Sequence, residues 1–343
     1  MSRLLFRADG NAQIGLGHVM RCLALANMLR DDFSMRFAIA EPTYTIENQI
    51  EATGLAVLSL PASGSQLAFI NQIATDEIVV LDGYTFDEAF QRSVRSKARK
   101  LVFIDDLVTG HQVADVVINH AGGVSADEYD AEPYTQFCLG PHYAMLRPEF
   151  LRPEGFAKPS IDGPIFVSLG GADPENRSLE VLQGIQKVDR HLPVQIVLGP
   201  FHPNRPAIEA FQSQLPNLTV LQNRSASQMV DTLQACSLAI TASSTISYEV
   251  CAINRPLITV VTADNQIRLA RFQSEEKLAL SVLFTTYLTN QIPVLGLDEQ
   301  IRLAIQSIQP TSEIVSDSLL AQRHFFDGQS PSRFRALFRN LSA

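Results

Sequence analysis

The sequence predicts an α/β protein with two similar-sized domains, each a mostly parallel sheet covered by helices on both faces. Three observations point there. The chain has 343 residues, room for about two domains at roughly 150 residues each. Short β-branched or apolar runs alternate with helical patterns through both halves. A stretch rich in Pro and Gly, residues 147–164, has little apolar periodicity and separates the halves as a linker.

In the first half, strands are expected at 4–8 (LLFRA), 35–40 (MRFAIA), 55–60 (LAVLSL), 77–82 (EIVVLD), 100–105 (KLVFID) and 115–119 (DVVIN). Several are near-continuous hydrophobic runs ending in an acid or a turn, the pattern of strands buried on both faces. Helices are expected between them at 18–29, 47–53 and 86–97. After the linker, strands are expected at 164–171, 194–199, 217–222, 237–242 and 256–261, with helices at 298–308 and 313–326. A polar segment, SPSRFRALFRNL, follows. The domain spans read from this pattern are 1–150 and 164–310, with 311–343 as a helical extension. Two such domains make an interdomain cleft the default ligand site.

Composition excludes some classes of function. Lys and Arg number 27 against 36 Asp and Glu, a net charge of −9, which argues against an extended nucleic-acid surface. A single anionic ligand is still accommodated, because helix N-termini and backbone N–H groups can bind it locally. Trp is absent, which weakens any stacked-aromatic groove. Cys22, Cys138, Cys236 and Cys251 form no C-x-x-C pair and read as free buried thiols. The short apolar run before Asp9 is too small for a signal peptide, and no stretch approaches 18 apolar residues. A soluble cytoplasmic protein without stable membrane insertion is the expectation.

The first glycine-rich turn is the most informative segment. A strand runs into Asp9, then Gly10, Gly15 and Gly17 precede an apolar-periodic helix beginning near His18. Such a loop leaves free N–H groups at a helix N-terminus beyond the sheet's C-terminal edge. It matches neither the dinucleotide fingerprint nor the P-loop. His18, beside side-chain-free glycines, is expected to face the ligand as a base or a substrate hydrogen-bonder; a structural role is the alternative. Asp9 is close enough in sequence to orient it. Arg21, three residues on, shares its face and could meet a phosphate or an internal carboxylate.

The second half repeats the arrangement. Ser168, Gly170 and Gly171 place hydroxyl and N–H donors after a strand. Ser243, Ser244 and Thr245 lie between a strand and a helix containing Glu249, suiting a diphosphate and vicinal ribose hydroxyls. Each has a plainer reading, as a helix cap or a solvated acid. Asp264, Asn265 and Gln266 form a polar cluster after the next strand. Tyr84 in LDGY could close over a sugar or simply pack its loop. Asp105 and Asp106 form a carboxylate pair, but no further oxygen ligands are evident, so no metal is expected.

These segments together resemble the PseG family, UDP-sugar hydrolases of pseudaminic acid biosynthesis. The resemblance is carried by RADGNAQIGLGHVMRCLALA, LDGY, FIDDL, CLGPHYAMLRPEF, IFVSLGGADPEN, SSTISYEVCAINRP and TADNQ, in family order over about residues 3–275. It implies two Rossmann-like domains in a glycosyltransferase-B-like fold with an interdomain cleft. It implies His18 as catalytic base, with Tyr84 and Asn265 lining the sugar site. Ser244, Thr245 and Glu249 become UDP-binding groups, joined as substrate-binding candidates by Asp9, Gly15, Gly17, Arg21, Ser168, Gly170, Gly171, Ser243 and Gln266. The expected reaction is hydrolysis of a UDP-linked 2,4-diacetamido-2,4,6-trideoxyhexose to free sugar and UDP, with no cofactor and no metal. A glycosyltransferase of the same fold and a non-catalytic nucleotide-sugar binder are the alternatives. Ala242-Ser243-Ser244 stands where the family has glycine before its serine–threonine pair. The oligomeric state stays open.

Overall fold

Strand β1 (Ser2–Ala8) pairs in parallel with β2 (Phe33–Ala40) on one side and β4 (Glu77–Asp82) on the other. With β3 (Ala56–Leu60), β5 (Lys100–Ile104), β7 (Val116–Asn119) and β9 (Gln136–Leu139) they form one seven-stranded sheet, ordered β3-β2-β1-β4-β5-β7-β9. Strands β6 (His111–Gln112) and β8 (Asp130–Ala131) make a separate two-stranded ribbon. The computed structural model describes residues 2–10, 16–152, 155–170, 173–199, 202–285 and 295–343. The chain divides into two compact units, Met1–Pro148 with Gln329–Ala343, and Glu149–Gly328.

All paired strands of the large sheet run parallel, and from β1 to β5 a helix carries the chain back between successive strands. These are α1 (Gly17–Leu29), α2 (Tyr44–Glu51), α3 (Ser65–Gln72) and α4 (Glu88–Arg95). Two of them start where a side chain caps the backbone. Thr43 accepts the Ile46 N–H at 3.4 Å, so α2 begins three residues before its expected start. Asp87 accepts the Phe90 N–H at 2.9 Å, so α4 begins two residues after it. On one face of the sheet, Leu5, Val79, Leu81, Leu101 and Phe103 pack with Phe69 and Phe90.

The second unit has a six-stranded parallel sheet ordered β12-β11-β10-β13-β14-β15. Its strands are β10 (Ile165–Ser168), β11 (Val194–Leu198), β12 (Leu218–Gln222), β13 (Leu238–Ala242), β14 (Leu257–Val261) and β15 (Ser281–Phe284). Helices α5 (Arg177–Val188), α6 (Arg205–Ala210), α7 (Ala226–Ala235), α8 (Thr245–Ile253), α9 (Ile267–Glu275), α10 (Leu297–Ser307) and α11 (Glu313–Phe325) accompany it. Strands β9 and β15 were not expected from the sequence. Both are four-residue edge strands with half-exposed residues, so neither carries the long apolar run that marks the central strands.

Helix α5 packs on α10 through Gly184. A Cβ there would stand 2.5 Å from the Asp298 carbonyl oxygen and 2.7 Å from Ile301 Cβ. Gly184→Ala should therefore lower stability by about 1–3 kcal/mol through overpacking. The check is a lowered denaturation midpoint at unchanged slope.

The fully buried Arg255 organises the start of this unit. Its Nε and Nη2 donate to the carbonyls of Leu233 and Gln234 at the end of α7, at 3.0 and 2.9 Å. Its Nη1 donates to Ile253 and Asn254 at the end of α8, both at 3.1 Å, and to Ala157 of the expected linker at 2.8 Å. Two helix C-termini, each carrying partial negative charge, thus converge on one guanidinium.

The expected extension at 311–343 is not one body. Helix α11 stays in the second unit, where Asn254 Nδ2 donates to the Leu319 carbonyl and Arg323 Nε to Asn254 Oδ1. The segment read as polar is helix α12 (Ser330–Ser342), which packs on α1 in the first unit. Phe334, Phe338 and Leu341 recur at helical spacing on its buried face, with Phe338 edge-on to Phe33 at 6.1 Å between ring centroids. Three arginines on its other positions hid that stripe in the sequence. One of them, Arg339, grips Asp32 at 2.8 and 2.9 Å.

Candidate active site

In the first unit the chain steps outward from β1 to β2 and β3, then returns to β4 on the opposite side of β1. The β1/β4 pair is therefore a topological switch point, where open parallel sheets leave a crevice at their strand C-termini. Ala8 is in register with Asp82 there, so α1, which follows β1, starts beside the end of β4.

His18 lies in the first turn of α1 and is buried. Its Nδ1 stands 2.7 Å from Oδ1 of the fully buried Asp82. An ionised carboxylate only accepts, so Asp82 keeps the proton on Nδ1 and leaves Nε2 as the acceptor of the neutral ring. Arg21, one turn further along α1, grips the same carboxylate with two bonds, Nε to Oδ2 at 2.8 Å and Nη2 to Oδ1 at 2.6 Å. Its Nη1 reaches Asp106 Oδ2 at 3.1 Å.

Burial alone would raise the Asp82 carboxyl. The adjacent Arg21 charge and the hydrogen bonds from Arg21 and His18 outweigh it and hold Asp82 below the ordinary carboxylate range. Burial likewise opposes charge on Arg21, yet Asp82 and then Asp106 keep it protonated more firmly than an exposed arginine. His120, beyond the end of β7, is driven down to about 3 by burial and by Arg21, so it is neutral. Tyr84 stands edge-on to His18, 4.7 Å between centroids, and donates to Asp106 Oδ2 at 3.3 Å while remaining 63 % exposed. A cavity of about 270 Å³ opens beside His18, Asp82 and Tyr84.

The second unit has the same kind of switch point between β10 and β13. Ser168 ends β10 in register with Thr241 of β13, and donates to the Val197 carbonyl at 3.2 Å. Ser244 and Thr245 open α8, Ser244 half-buried and Thr245 exposed, with no side chain capping this helix. Glu249 is buried on α8. Ser243 points inward instead, its hydroxyl donating to Gln273 Oε1 at 2.7 Å, and Gln273 Nε2 donates in turn to Ser247 Oγ at 2.6 Å. This is how serine is accommodated where the resembled family has glycine. Gly170 adopts φ +100°, a conformation few other residues tolerate. Gln266 bonds back to its own turn, accepting from the Thr262 N–H at 2.9 Å, while Asn265 is exposed beside it.

No model of a known protein family matches the chain. It is similar to an uncharacterized protein of Methanocaldococcus jannaschii, 31% identical over 202 residues, or 56% of this chain. That match spans only 41% of the archaeal protein's length. It is also similar to a UDP-2,4-diacetamido-2,4,6-trideoxy-beta-L-altropyranose hydrolase of Campylobacter jejuni, 24% identical over 251 residues, covering 71% of this chain and 86% of that one. Among solved structures it resembles MurG of Acinetobacter baumannii, with TM-score 0.65 at 14% identity, covering 99% of this chain and 100% of that one. A UDP-glucosyltransferase of Polygonum tinctorium gives TM-score 0.65 at 13% identity, covering 99% and 98%. These likenesses decide the fold. It is a glycosyltransferase-B fold, with two Rossmann-like units.

Within the first unit of this glycosyltransferase-B fold, the structure revises two sequence expectations. Asp9 does not orient His18. It pairs with the buried Arg7, Nη2 to Oδ2 at 2.8 Å, and accepts the Ala40 N–H at 2.8 Å, tying β1 to β2. Arg21 takes the internal-carboxylate option rather than standing free for a phosphate. The residue that sequence reasoning passed over is Asp82. Its signal in the sequence is an acid closing the apolar run EIVVLD, two residues before Tyr84. Asp105 and Asp106 diverge. Asp105 accepts the Leu107 and Val108 N–H groups, while Asp106 joins Arg21 and Tyr84. Among the described residues, no group of three or more His, Cys, Asp or Glu is placed to hold a metal. Gly17 starts α1 with open space around its Cα, whereas Gly15 and Gly171 lie outside the described residues. No described helix is long and apolar enough to cross a membrane.

Proposed function

We propose that this chain is an enzyme that breaks the glycosyl–phosphate bond of a UDP-sugar, with His18 as general base. The observation that carries the reading is the buried Asp82 carboxylate holding His18 by Nδ1 while Arg21 holds Asp82. The neutral ring then takes a proton at Nε2 from an O–H nucleophile as its oxygen bonds to the anomeric carbon. The C–O bond to the β-phosphate breaks, its electron pair leaves on UDP, and Asp82 stabilises the resulting imidazolium. Tyr84 and Asn265 are assigned to the sugar. Ser244, Thr245 and Glu249 are assigned to UDP, whose phosphates suit the uncapped N-terminus of α8.

Two nucleophiles fit this chemistry. Transfer to an acceptor hydroxyl is favoured by the likeness to a UDP-glucosyltransferase along nearly the whole chain. Attack by water, as in pseudaminic acid biosynthesis, is supported by the Campylobacter jejuni relative and by the motifs around His18 and Tyr84. Incubation with a panel of UDP-sugars, including the 2,4-diacetamido-2,4,6-trideoxyhexose, separates them. UDP released only when a hydroxyl acceptor is added marks the transferase. Equal release in buffer alone marks the hydrolase. Absence of UDP release from every donor, with and without acceptors, overturns both.

A further inference from the structure

A cavity of about 980 Å³ lies in the second unit, more than three times the volume of the one beside His18. It sits at the start of the strands, where Ile165 of β10 stands in register with Leu238 of β13 and both line it. The turns assigned to UDP follow the opposite ends of these strands, beyond Ser168 and Ala242. Ile305 of α10 and Val315 and Leu319 of α11 add further walls, and residues 158–163 of the expected linker complete them.

The walls are aliphatic. Among the described residues that line the cavity there is no aromatic ring. The hydroxyls of Ser237 and Ser316 are turned to the Gly163 and Ser312 carbonyls, at 2.7 and 3.3 Å. Such walls offer no face on which a base or sugar ring stacks, and they suit a flexible hydrocarbon chain. Ile161 and Leu320 line the cavity yet remain 62 % and 69 % exposed, apolar surface that is unfavourable in water.

The charge beside these walls is mostly positive. Lys158 and Arg323 both line the cavity and are exposed. Arg323 gives its Nε to Asn254 Oδ1 at 2.9 Å, and among the described residues neither cation is in an ion pair. Asp162 is the one acid among the described lining residues. In a chain of net charge −9, two cations without carboxylate partners beside an apolar cavity are a local reversal of sign, complementary to an anionic head on a hydrocarbon tail.

We propose that this cavity binds a single fatty-acyl chain, with the hydrocarbon inside it and the carboxylate held by Lys158 and Arg323. Such a ligand is independent of the reaction assigned to His18.

The test uses the full chain, with and without saturating UDP, titrated with dodecanoate, octanoate and dodecyltrimethylammonium below their micelle-forming concentrations. Binding is read by calorimetry and by melting temperature. Dodecanoate should bind one to one and raise the melting temperature, equally with and without UDP. Each buried methylene contributes about fourfold in affinity, so octanoate should bind at least tenfold more weakly. The cation of the same chain length should also bind at least tenfold more weakly. Lys158→Gln should weaken dodecanoate binding severalfold, and Ile161→Glu and Leu320→Glu tenfold or more. All three positions are exposed, so these variants keep the fold. No saturable one-to-one binding, equal binding of octanoate or of the cation, displacement by UDP, or wild-type affinity in both glutamate variants would overturn the proposal. A dimer of the ligand-free chain that Leu320→Glu dissociates would give the exposed face to a second copy and overturn it as well.

Discussion

Asp82→Asn should reduce turnover by about 10²–10⁴-fold with little change in UDP affinity. The amide still fills the space at the end of β4, but it no longer carries the charge that Arg21 grips twice and that stabilises the imidazolium of His18. His18→Ala should lose a similar factor, and the double variant little more, because the two residues act as a unit. The measurement is UDP release under single-turnover conditions, with UDP affinity read separately. Near-normal turnover in either single variant would remove the dyad from the mechanism.

The pH dependence of stability follows from the same carboxylate. Its folded-state pKa is depressed, so its contribution is fully present above the unfolded value of about 3.9 and is lost as pH falls through the lower folded value. Asp82 should therefore contribute no slope to stability between about pH 5 and 8. Wild type should lose this contribution on acidification and Asp82→Asn should not, so their denaturation midpoints should converge at low pH.

Arg255→Met should lower stability of the second unit by about 3–5 kcal/mol, since several buried carbonyl oxygens lose their donor at roughly 1–3 kcal/mol each. Five carbonyls are involved, from Ala157, Leu233, Gln234, Ile253 and Asn254. Arg255→Lys should recover part of the loss, because an ammonium keeps the charge facing the two helix ends but cannot span the same fork of acceptors. Chemical denaturation followed by circular dichroism measures both. A loss below about 1 kcal/mol for Arg255→Met would show that the carbonyls find other donors.

Periodicity and local turn chemistry carried most of the fold. The central strands of both sheets are long apolar runs, and β4 falls on the span expected for it. Helix ends were displaced where a single cap decided them, as at Thr43 and Asp87. The edge strands β9 and β15 are short and half-exposed and carry no clear hydrophobic pattern, although the edge strands β3 and β12 do fall on expected spans, and the buried stripe of α12 is concealed among arginines.

The candidate site divides along a similar line. His18 and Arg21 are legible from the sequence because one turn of helix puts them on a single face. The partner of His18 is not, because Asp82 stands 64 residues away and meets it only where β4 inserts beside β1. Asp9, closer in sequence, is drawn to Arg7 and Ala40 by the pairing of β1 with β2. By itself the sequence determined the alternation of strand and helix, the glycine-rich turn and the residues on its helix. Strand order, and with it the Asp82 dyad, and the return of α12 to the first unit were decided by tertiary structure. The reason is physical: a parallel crossover joins strand ends over any sequence distance, and local periodicity holds no record of which strand will be the neighbour.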